Sequence, residues 1–172
     1  MKTLMKTLAA SLFLASALAA PGLAQARPVT LTTQLQSYSG DGAYLAFYLT
    51  DAKGQYKKTL WVAGQKSKYY KHLRDWARGS GLKASEFDGV SGASVGNGKS
   101  LKVTVELADT LIDAGYEIRI DSAVEDQREN AAEVRATLTR QGARKPVTGR
   151  LSVKSFPQHM YTPPLPRHCL LL

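Results

Sequence analysis

Cysteine is almost absent from this chain of 172 residues, since Cys169 is its only one. A single cysteine cannot form an intrachain disulfide, so the fold must be held together by its own core. Thiol catalysis is also disfavoured, because it needs a positioned base and Cys169 lies next to His168 in a proline-rich tail. We therefore interpret Cys169 as an ordinary tail residue.

Histidine is scarce as well. The three histidines are His72, His159 and His168, and no two of them have the close spacing of a metal-binding helix. A soft metal bound by His159, Met160, His168 and Cys169 is the alternative, and it requires the tail to fold back on itself. We predict no metal site, and the sequence has no convincing Ser-His-Asp set or phosphate-binding glycine loop.

Long apolar runs are missing except at the beginning of the chain. Lys2 and Lys6 precede an apolar run over residues 8–20, and Ala24-Gln25-Ala26 follows it. This is the pattern of a secretory signal peptide, whose apolar segment is too short for a lasting membrane anchor. We predict cleavage after Ala26 and a periplasmic location; an uncleaved anchor is the alternative.

Acidic residues are outnumbered by basic ones, which gives a formal net charge of +9. The basic residues form two clusters, one within residues 66–78 and one within residues 135–150. An exported protein is not expected to meet nucleic acid, and no nucleic-acid-binding signature is present. The excess indicates a solvated face, or one that faces anionic lipid or the phosphate of a cofactor.

Alternation of apolar and polar residues predicts strands along most of the remaining chain. The predicted strands cover residues 29–35, 43–50, 56–62, 101–107, 116–120, 132–139 and 147–153. One helix is predicted over 68–78, because Tyr69, Leu73 and Trp76 recur at helical spacing and Gly79 and Gly81 follow. Residues 81–100 are rich in Gly, Ser and Ala and predict a loop.

This pattern predicts an all-β protein, an antiparallel immunoglobulin-like β-sandwich with one short helix; a partly open barrel is the alternative. We assign residues 1–26 to the signal peptide, 27–155 to the sandwich domain and 156–172 to a Pro-rich, poorly ordered tail. The sandwich segment is long enough to bury a sizeable core.

The segment Asp88-Gly-Val-Ser-Gly-Ala-Ser94 stands out within the predicted loop. It resembles the Asp-x-x-Ser/Thr-Gly-Ala-Thr/Ser signature of proteins modified by ApbE-type flavin transferases, in which the last hydroxyl residue is esterified to the phosphate of FMN. The resemblance implies covalent FMN on Ser94, with Asp88, Ser91, Gly92 and Ala93 as recognition elements. Serine at position 94 departs from the more familiar threonine, but both residues offer the required hydroxyl.

The chemistry of these residues agrees with the resemblance. Transfer of FMN from FAD requires a hydroxyl nucleophile and a peptide thin enough to enter the cleft of another enzyme. Gly92 and Ala93 add almost no side-chain bulk beside the hydroxyl, and glycine lets the backbone bend. The alternative is an ordinary Gly/Ser loop without a cofactor.

The predicted helix supplies further candidates for contact with the flavin. Aromatic rings stack on an isoalloxazine, and cations offset the charge of its phosphate. The candidates are Tyr70, Lys71 and Arg74. For Tyr69 and the rest of the helical stripe, we favour an apolar face that packs the helix against the sandwich.

Several segments share a second resemblance. They are the strand pair at 43–62, the segment Tyr70–Trp76, the flavinylation motif and the segment Asp113–Ile118. Together, over residues 29–140 in outline, they resemble the predicted periplasmic proteins of domain-of-unknown-function family 2271. That family implies a sandwich-like domain and association with PepSY-type membrane proteins and flavin transferases.

The two resemblances lead to one expected function. We expect an exported redox carrier that bears FMN and passes electrons to or from a PepSY-type membrane protein, and not an autonomous enzyme. The alternative is a flavin-free periplasmic scaffold or adhesion module that uses its basic face to hold such a membrane protein.

Overall fold

The computed structural model of the chain describes residues 25–125, 127 and 129–149, together with the backbone of residues 153–155 and 158–160. The predicted signal peptide lies outside the described residues, apart from its last two positions. Among the residues that are described, no helix has the length and apolar composition that a membrane crossing requires.

Two β-sheets make up the described part of the chain. Their strands are β1 (Ala26–Leu35), β2 (Tyr44–Thr50), β3 (Tyr56–Ala63), β4 (Ser91–Gly92), β5 (Ser100–Ala108), β6 (Glu117–Ala123), β7 (Asn130–Thr137), β8 (Val153–Ser155) and β9 (Gln158–Met160). One sheet has the order β5-β1-β8, with β9 also paired to β1, and the other has the order β4-β3-β2-β6-β7. These pairs are antiparallel, except that β3 and β4 run parallel.

An aliphatic core fills the space between the two sheets. Strand alternation directs Leu45, Phe47 and Leu49 of β2 into this core, where Val29 and Leu31 of β1 belong to the same cluster. All five side chains are buried, and each contributes about 1.5–3 kcal/mol through removal of apolar surface from water. The predicted all-β sandwich with one short helix is confirmed.

The five-stranded sheet carries a second layer on its outer face. We call this the outer layer; its buried residues are Ala46, Tyr48, Val62, Tyr70, Leu73, Trp76 and Ala123. Its aromatic rings meet edge to face, with the centroids of Tyr70 and Trp76 5.4 Å apart. The layer covers the side of β2 and β3 that faces away from the aliphatic core.

A buried carboxylate joins the outer layer to the sheet. Asp121 of β6 accepts hydrogen bonds from the Tyr48 hydroxyl at 2.9 Å, the Trp76 N–H at 2.9 Å and the Ala132 N–H at 2.7 Å. Burial raises the pKa of Asp121, and the three donors oppose that shift. Three hydrogen bonds to one oxygen pair make this carboxylate a structural centre of the layer.

The predicted helix is not continuous. A 3₁₀ helix covers Ser67–His72 and α1 covers Arg74–Ser80, with Leu73 between them in a non-helical conformation (φ −87°, ψ 75°). The buried carboxylate of β6 accepts the N–H of Trp76, so a new helix begins there. Periodicity in the sequence cannot reveal an acceptor that another strand supplies.

Two predicted turns have the expected glycine conformations. Gly54, after Asp51-Ala-Lys, joins β2 to β3 with φ 77°, and Gly81 ends α1 with φ 62°. Both angles lie in the left-handed region, which glycine adopts without a steric penalty. These punctuation signals were therefore reliable guides to where elements end.

Three other segments differ from their predictions. The loop over residues 81–100 contains β4 and a 3₁₀ helix at Ala84–Glu86. The strand predicted over residues 147–153 is wrong for residues 147–149; β8 begins instead at position 153, where it pairs with β1. Within the predicted disordered tail, β9 also pairs with β1, while residues 156–157 and 161–172 lie outside the described residues. Pairing with a distant strand decides these segments, and it leaves little local signal.

Candidate functional site

The predicted flavinylation motif, residues 88–94, reaches the edge of the five-stranded sheet. In β4, Ser91 pairs with Val62 and Gly92 pairs with Ala63. The N–H of Gly64 donates to the Gly92 carbonyl at 2.7 Å. The expectation of an open loop is therefore wrong at Ser91 and Gly92, because the parallel pair fixes them to β3.

A second fixed point follows at Val95, three positions after Gly92. Val95 and Ala43 exchange backbone hydrogen bonds of 2.7 and 3.0 Å. The Tyr38 hydroxyl donates to the Val95 carbonyl at 3.0 Å and accepts the Ala43 N–H at 2.9 Å. Ala93 and Ser94 thus span a short distance between two restrained segments, and both side chains are exposed.

Glycine at position 42 makes room for the Ser94 hydroxyl. A Cβ atom at position 42 would lie 2.6 Å from Ser94 Oγ and 3.1 Å from Ser94 Cβ. The first distance is shorter than any ordinary contact of a Cβ atom, so an alanine would displace the serine. The Ser94 side chain thus occupies space that a side chain at residue 42 would fill.

A cleft of about 640 Å³ opens beside Ser94, and we call it the Ser94 cleft. Ala93 and Ser94 line it together with Tyr44, Tyr69 and His72. Small-molecule and cofactor sites usually measure about 300–1,000 Å³. The exposed hydroxyl of the motif therefore stands at a cleft of suitable size for a cofactor.

Two tyrosines form an aromatic wall of the Ser94 cleft. The rings of Tyr44 and Tyr69 meet edge to face, with centroids 5.6 Å apart and an interplanar angle of 71°. Gly64 lies against the Tyr44 ring so closely that a Cβ there would be 2.0 Å from a ring carbon. Lys68 Nζ lies 4.8 Å from the centroid of Tyr69. These contacts hold both rings in place.

Around Glu129 the lining of the Ser94 cleft is charged instead of aromatic. The Glu129 carboxylate accepts a hydrogen bond from Nδ1 of His72 at 2.5 Å and another from the Arg74 guanidinium. The hydrogen bond from His72, followed by that from Arg74, lowers the pKa of Glu129. Charged side chains of both signs complete this part of the lining, which includes Asp41 and Lys66.

The predicted recognition residues occupy different surroundings. Ala93 lines the cleft beside Ser94. Ser91 and Gly92 belong to β4, and Gly92 packs under Trp61 so tightly that a Cβ would lie 2.8 Å from the indole ring. Asp88 is exposed, and its N–H donates to the carbonyl of a residue four positions earlier. Within the motif, Ser91 and Gly92 are thus paired with β3, whereas Asp88, Ala93 and Ser94 lie outside that pair.

Of the three candidates next to the motif, none lines the Ser94 cleft directly. Tyr70 is buried in the outer layer, where its hydroxyl donates to the Gly64 carbonyl at 2.7 Å. Burial raises the pKa of Tyr70, and a hydrogen bond with the Ser91 side chain opposes the shift. Lys71 is exposed, and Arg74 reaches the cleft only through its ion pair with Glu129.

Sequence reasoning missed several residues of the cleft. The stripe interpretation is correct for Leu73 and Trp76, which are fully buried, but Tyr69 is half-buried and lines the cleft. Gly42 and Glu129 come from segments far from the motif, and no spacing in the sequence connects them to it. Tyr44 had one usable signal, because alternation puts it on the outward face of β2.

No three metal-binding side chains come together within the described part of the chain. The metal site that we considered in the tail falls mainly on positions beyond it, since His168 and Cys169 lie outside the described residues. The candidate site consists of a hydroxyl, two aromatic rings and a few charged groups.

A family model described as "Predicted periplasmic protein (DUF2271)" matches residues 26–155. The matched range includes residues 88–94 and the residues that line the Ser94 cleft. No curated protein and no solved structure matches the chain. The chemistry of the cleft has to be inferred from its own residues.

Proposed function

The chain belongs to the DUF2271 family of predicted periplasmic proteins, and on this premise we propose that it is an electron carrier with FMN attached through a phosphoester to Ser94. One observation carries the proposal. The Ser94 hydroxyl is exposed beside a cofactor-sized cleft, and the backbone on both sides of Ala93-Ser94 is hydrogen-bonded.

The proposed modification is transfer of FMN from FAD by an ApbE-type flavin transferase. The hydroxyl oxygen of Ser94 forms a bond to the phosphorus of the FMN moiety, and the pyrophosphate bond of FAD breaks. AMP leaves with the bridging oxygen, and the hydroxyl proton passes to a base of the transferase. No electrons are exchanged in this step, and the chain takes part as a substrate.

The residues of the site fit the group. The cleft has the volume of a cofactor site, and the absent side chain at Gly42 leaves Oγ of Ser94 unobstructed on that side. When bound, FMN supplies the redox chemistry. The chain would provide attachment, aromatic surroundings and a basic surface for partners, among which we propose a PepSY-type membrane redox protein.

The basic surface also favours a second candidate function. Lys66, Lys68 and Lys71 are exposed on one short segment next to the cleft. A flavin-free scaffold would use this surface to hold a membrane protein through its acidic groups. The two candidates differ in one measurable property, which is covalent flavin.

Co-expression with a flavin transferase, with the export signal intact, tests the proposal. We expect the intact mass of the exported chain to rise by one FMN and its band in a denaturing gel to fluoresce. Ser94→Ala is expected to abolish both signals. An exported wild-type chain that gains neither mass nor fluorescence would leave the scaffold as the better explanation.

Ser94→Thr and Ser91→Ala serve as matched controls. Threonine keeps a hydroxyl at the acceptor position, so labelling should persist. Ser91 lies in β4 and its side chain bonds to Tyr70, so its loss should only weaken labelling. If the label survives Ser94→Ala and is lost in Ser91→Ala, the acceptor is Ser91 and our assignment is wrong.

A further inference from the structure

The Ser94 cleft lies within reach of a group attached to Ser94. The acceptor hydroxyl belongs to the lining of the cleft, so a flavin joined through its ribityl phosphate starts at the rim. A short tether gives the attached ring an effective concentration in the millimolar range near its attachment point. Even a weak site in the cleft would therefore be filled by the attached ring system.

Tyr69 presents the aromatic surface that such a ring system needs. It is half-buried and lines the cleft, whereas Tyr70 and Trp76 are buried in the outer layer. Tyr44 meets Tyr69 edge to face, and Lys68 Nζ lies 4.8 Å from the centroid of Tyr69, so two contacts restrain the ring that lines the cleft. A rigid aromatic surface binds a planar heterocycle with little loss of conformational entropy.

The charges of the lining select the kind of ligand. Asp41 and Glu125 are acidic groups of the lining and Lys66 is a basic one, while the charge of Glu129 is offset by its ion pair with Arg74. The lining therefore has no strong excess of positive charge that would attract several phosphates. It suits a neutral heterocycle whose single phosphodiester stays at the rim with Ser94.

The lining also contains polar groups of the kinds that bond to the edge of a flavin ring, although the Gln127 amide already donates to the Ser39 carbonyl. The amides of Gln65 and Gln127 and the imidazole of His72 all line the cleft. Nδ1 of His72 donates to Glu129, which fixes the orientation of the imidazole. A uracil-like edge with alternating donors and acceptors finds partners of both kinds here.

We infer that the Ser94 cleft binds the isoalloxazine ring of the attached FMN noncovalently, with the ring stacked on Tyr69. The inference rests on the proposed flavin at Ser94 and adds the environment in which its ring is held. The ring is then sheltered by the protein instead of moving freely at the end of its tether.

Fluorescence of labelled protein tests the inference, because a stacked tyrosine donates an electron to the excited flavin and quenches it. We expect the native wild-type protein to be several-fold less fluorescent than the same protein unfolded in guanidinium, with high anisotropy. Tyr69→Leu should restore most of the fluorescence and lower the anisotropy. Tyr69→Phe should restore fluorescence while the anisotropy stays high, because phenylalanine stacks without donating an electron.

Tyr116→Phe is the matched control, since it removes a phenol that is not part of the cleft lining; it should leave quenching and anisotropy as in the wild type. The inference is wrong if labelled wild-type protein fluoresces as strongly when native as when unfolded. It is also wrong if the Tyr69 variants behave like Tyr116→Phe.

The proposed function and the ring site fail in different ways. If the labelled chain has an unquenched, mobile flavin, the proposed attachment is supported and the proposed ring site is excluded. If no label forms, attachment fails, and riboflavin is then titrated into the unlabelled chain. Saturable quenching that Tyr69→Leu weakens would support the cleft as a flavin site, and no quenching up to the solubility limit of riboflavin would overturn it.

Discussion

The two faces of the five-stranded sheet are built in different ways. Its inner face is mainly aliphatic, with Phe47 as an exception, and packs on the other sheet; Leu45 and Ile120 are examples. Its outer face is aromatic and hydrogen-bonded around Asp121, which receives three donors. Adjacent residues of one strand therefore serve two kinds of packing.

The difference concerns position as well as composition. Hydrophobic burial is nondirectional, so the inner face stabilises the sandwich without fixing individual groups. Hydrogen bonds and edge-to-face rings are directional. Through Tyr70, the outer face reaches both Gly64 and the side chain of Ser91. The outer layer thus positions the strand that carries the motif.

The largest effects should come from Ile120→Ala and Asp121→Ala, which lie side by side on opposite faces of β6. Truncating Ile120 leaves a cavity and should cost about 2–5 kcal/mol of unfolding free energy. Removing the Asp121 carboxylate leaves three donors without an acceptor and should cost about 3 kcal/mol or more. Urea titrations measure both losses.

The near-ultraviolet circular dichroism of the same pair distinguishes the faces. Folded Ile120→Ala should keep the signal of the Trp76 environment, and folded Asp121→Ala should lose much of it. Equal losses in the two variants would show that the outer layer does not depend on its carboxylate.

Gly42→Ala should have the next largest effect, and it acts on the proposed acceptor Ser94. The added Cβ would meet Ser94 Oγ at 2.6 Å, so we expect a loss of about 1–3 kcal/mol in stability and labelling slowed by about tenfold or more. Gly96→Ala is the control, because its Cβ would meet only Lys99 Cγ at 3.4 Å. Equal labelling rates in the two variants would contradict a fixed hydroxyl.

Tyr70→Phe removes one directional contact of the outer layer. Its hydroxyl donates to the Gly64 carbonyl at 2.7 Å in a buried place, so we expect a loss of about 1 kcal/mol. Hydrogen exchange should also show faster opening at Gly64, whose N–H holds β4. An unchanged exchange rate at that amide would show that Tyr70 does not help to position the motif.

The smallest expected effect is a pH dependence of the outer layer. Because burial raises the pKa of Asp121, the folded state keeps its proton at pH values where the unfolded chain has released it. Stability from this group is fully present below about pH 4 and decreases as the pH rises through the folded pKa. Comparison with Asp121→Asn, which does not titrate, isolates the effect; two parallel stability curves would contradict it.

Strand alternation was enough to predict the sandwich, because residues such as Leu45, Phe47 and Leu49 reveal their buried face locally. The segment Asp88–Ser94 was also visible as a run of neighbours, and its role as an acceptor stays a prediction. The cleft was not, since Gly42, Tyr69 and Glu129 meet only through tertiary pairing. The prediction of one continuous helix was wrong for a related reason, because the acceptor of the Trp76 N–H lies 45 positions away.

The parallel pairing of β4 with β3 has a further consequence for solubility. β4 is only two residues long, yet it occupies the outer side of β3, where backbone groups would otherwise be open to another chain. The predicted motif thus also covers part of a sheet edge, at Val62 and Ala63. A chain whose motif is released from β3 would gain exposed backbone groups suited to self-association, so the proposed attachment of FMN at Ser94 would have to leave this pairing in place.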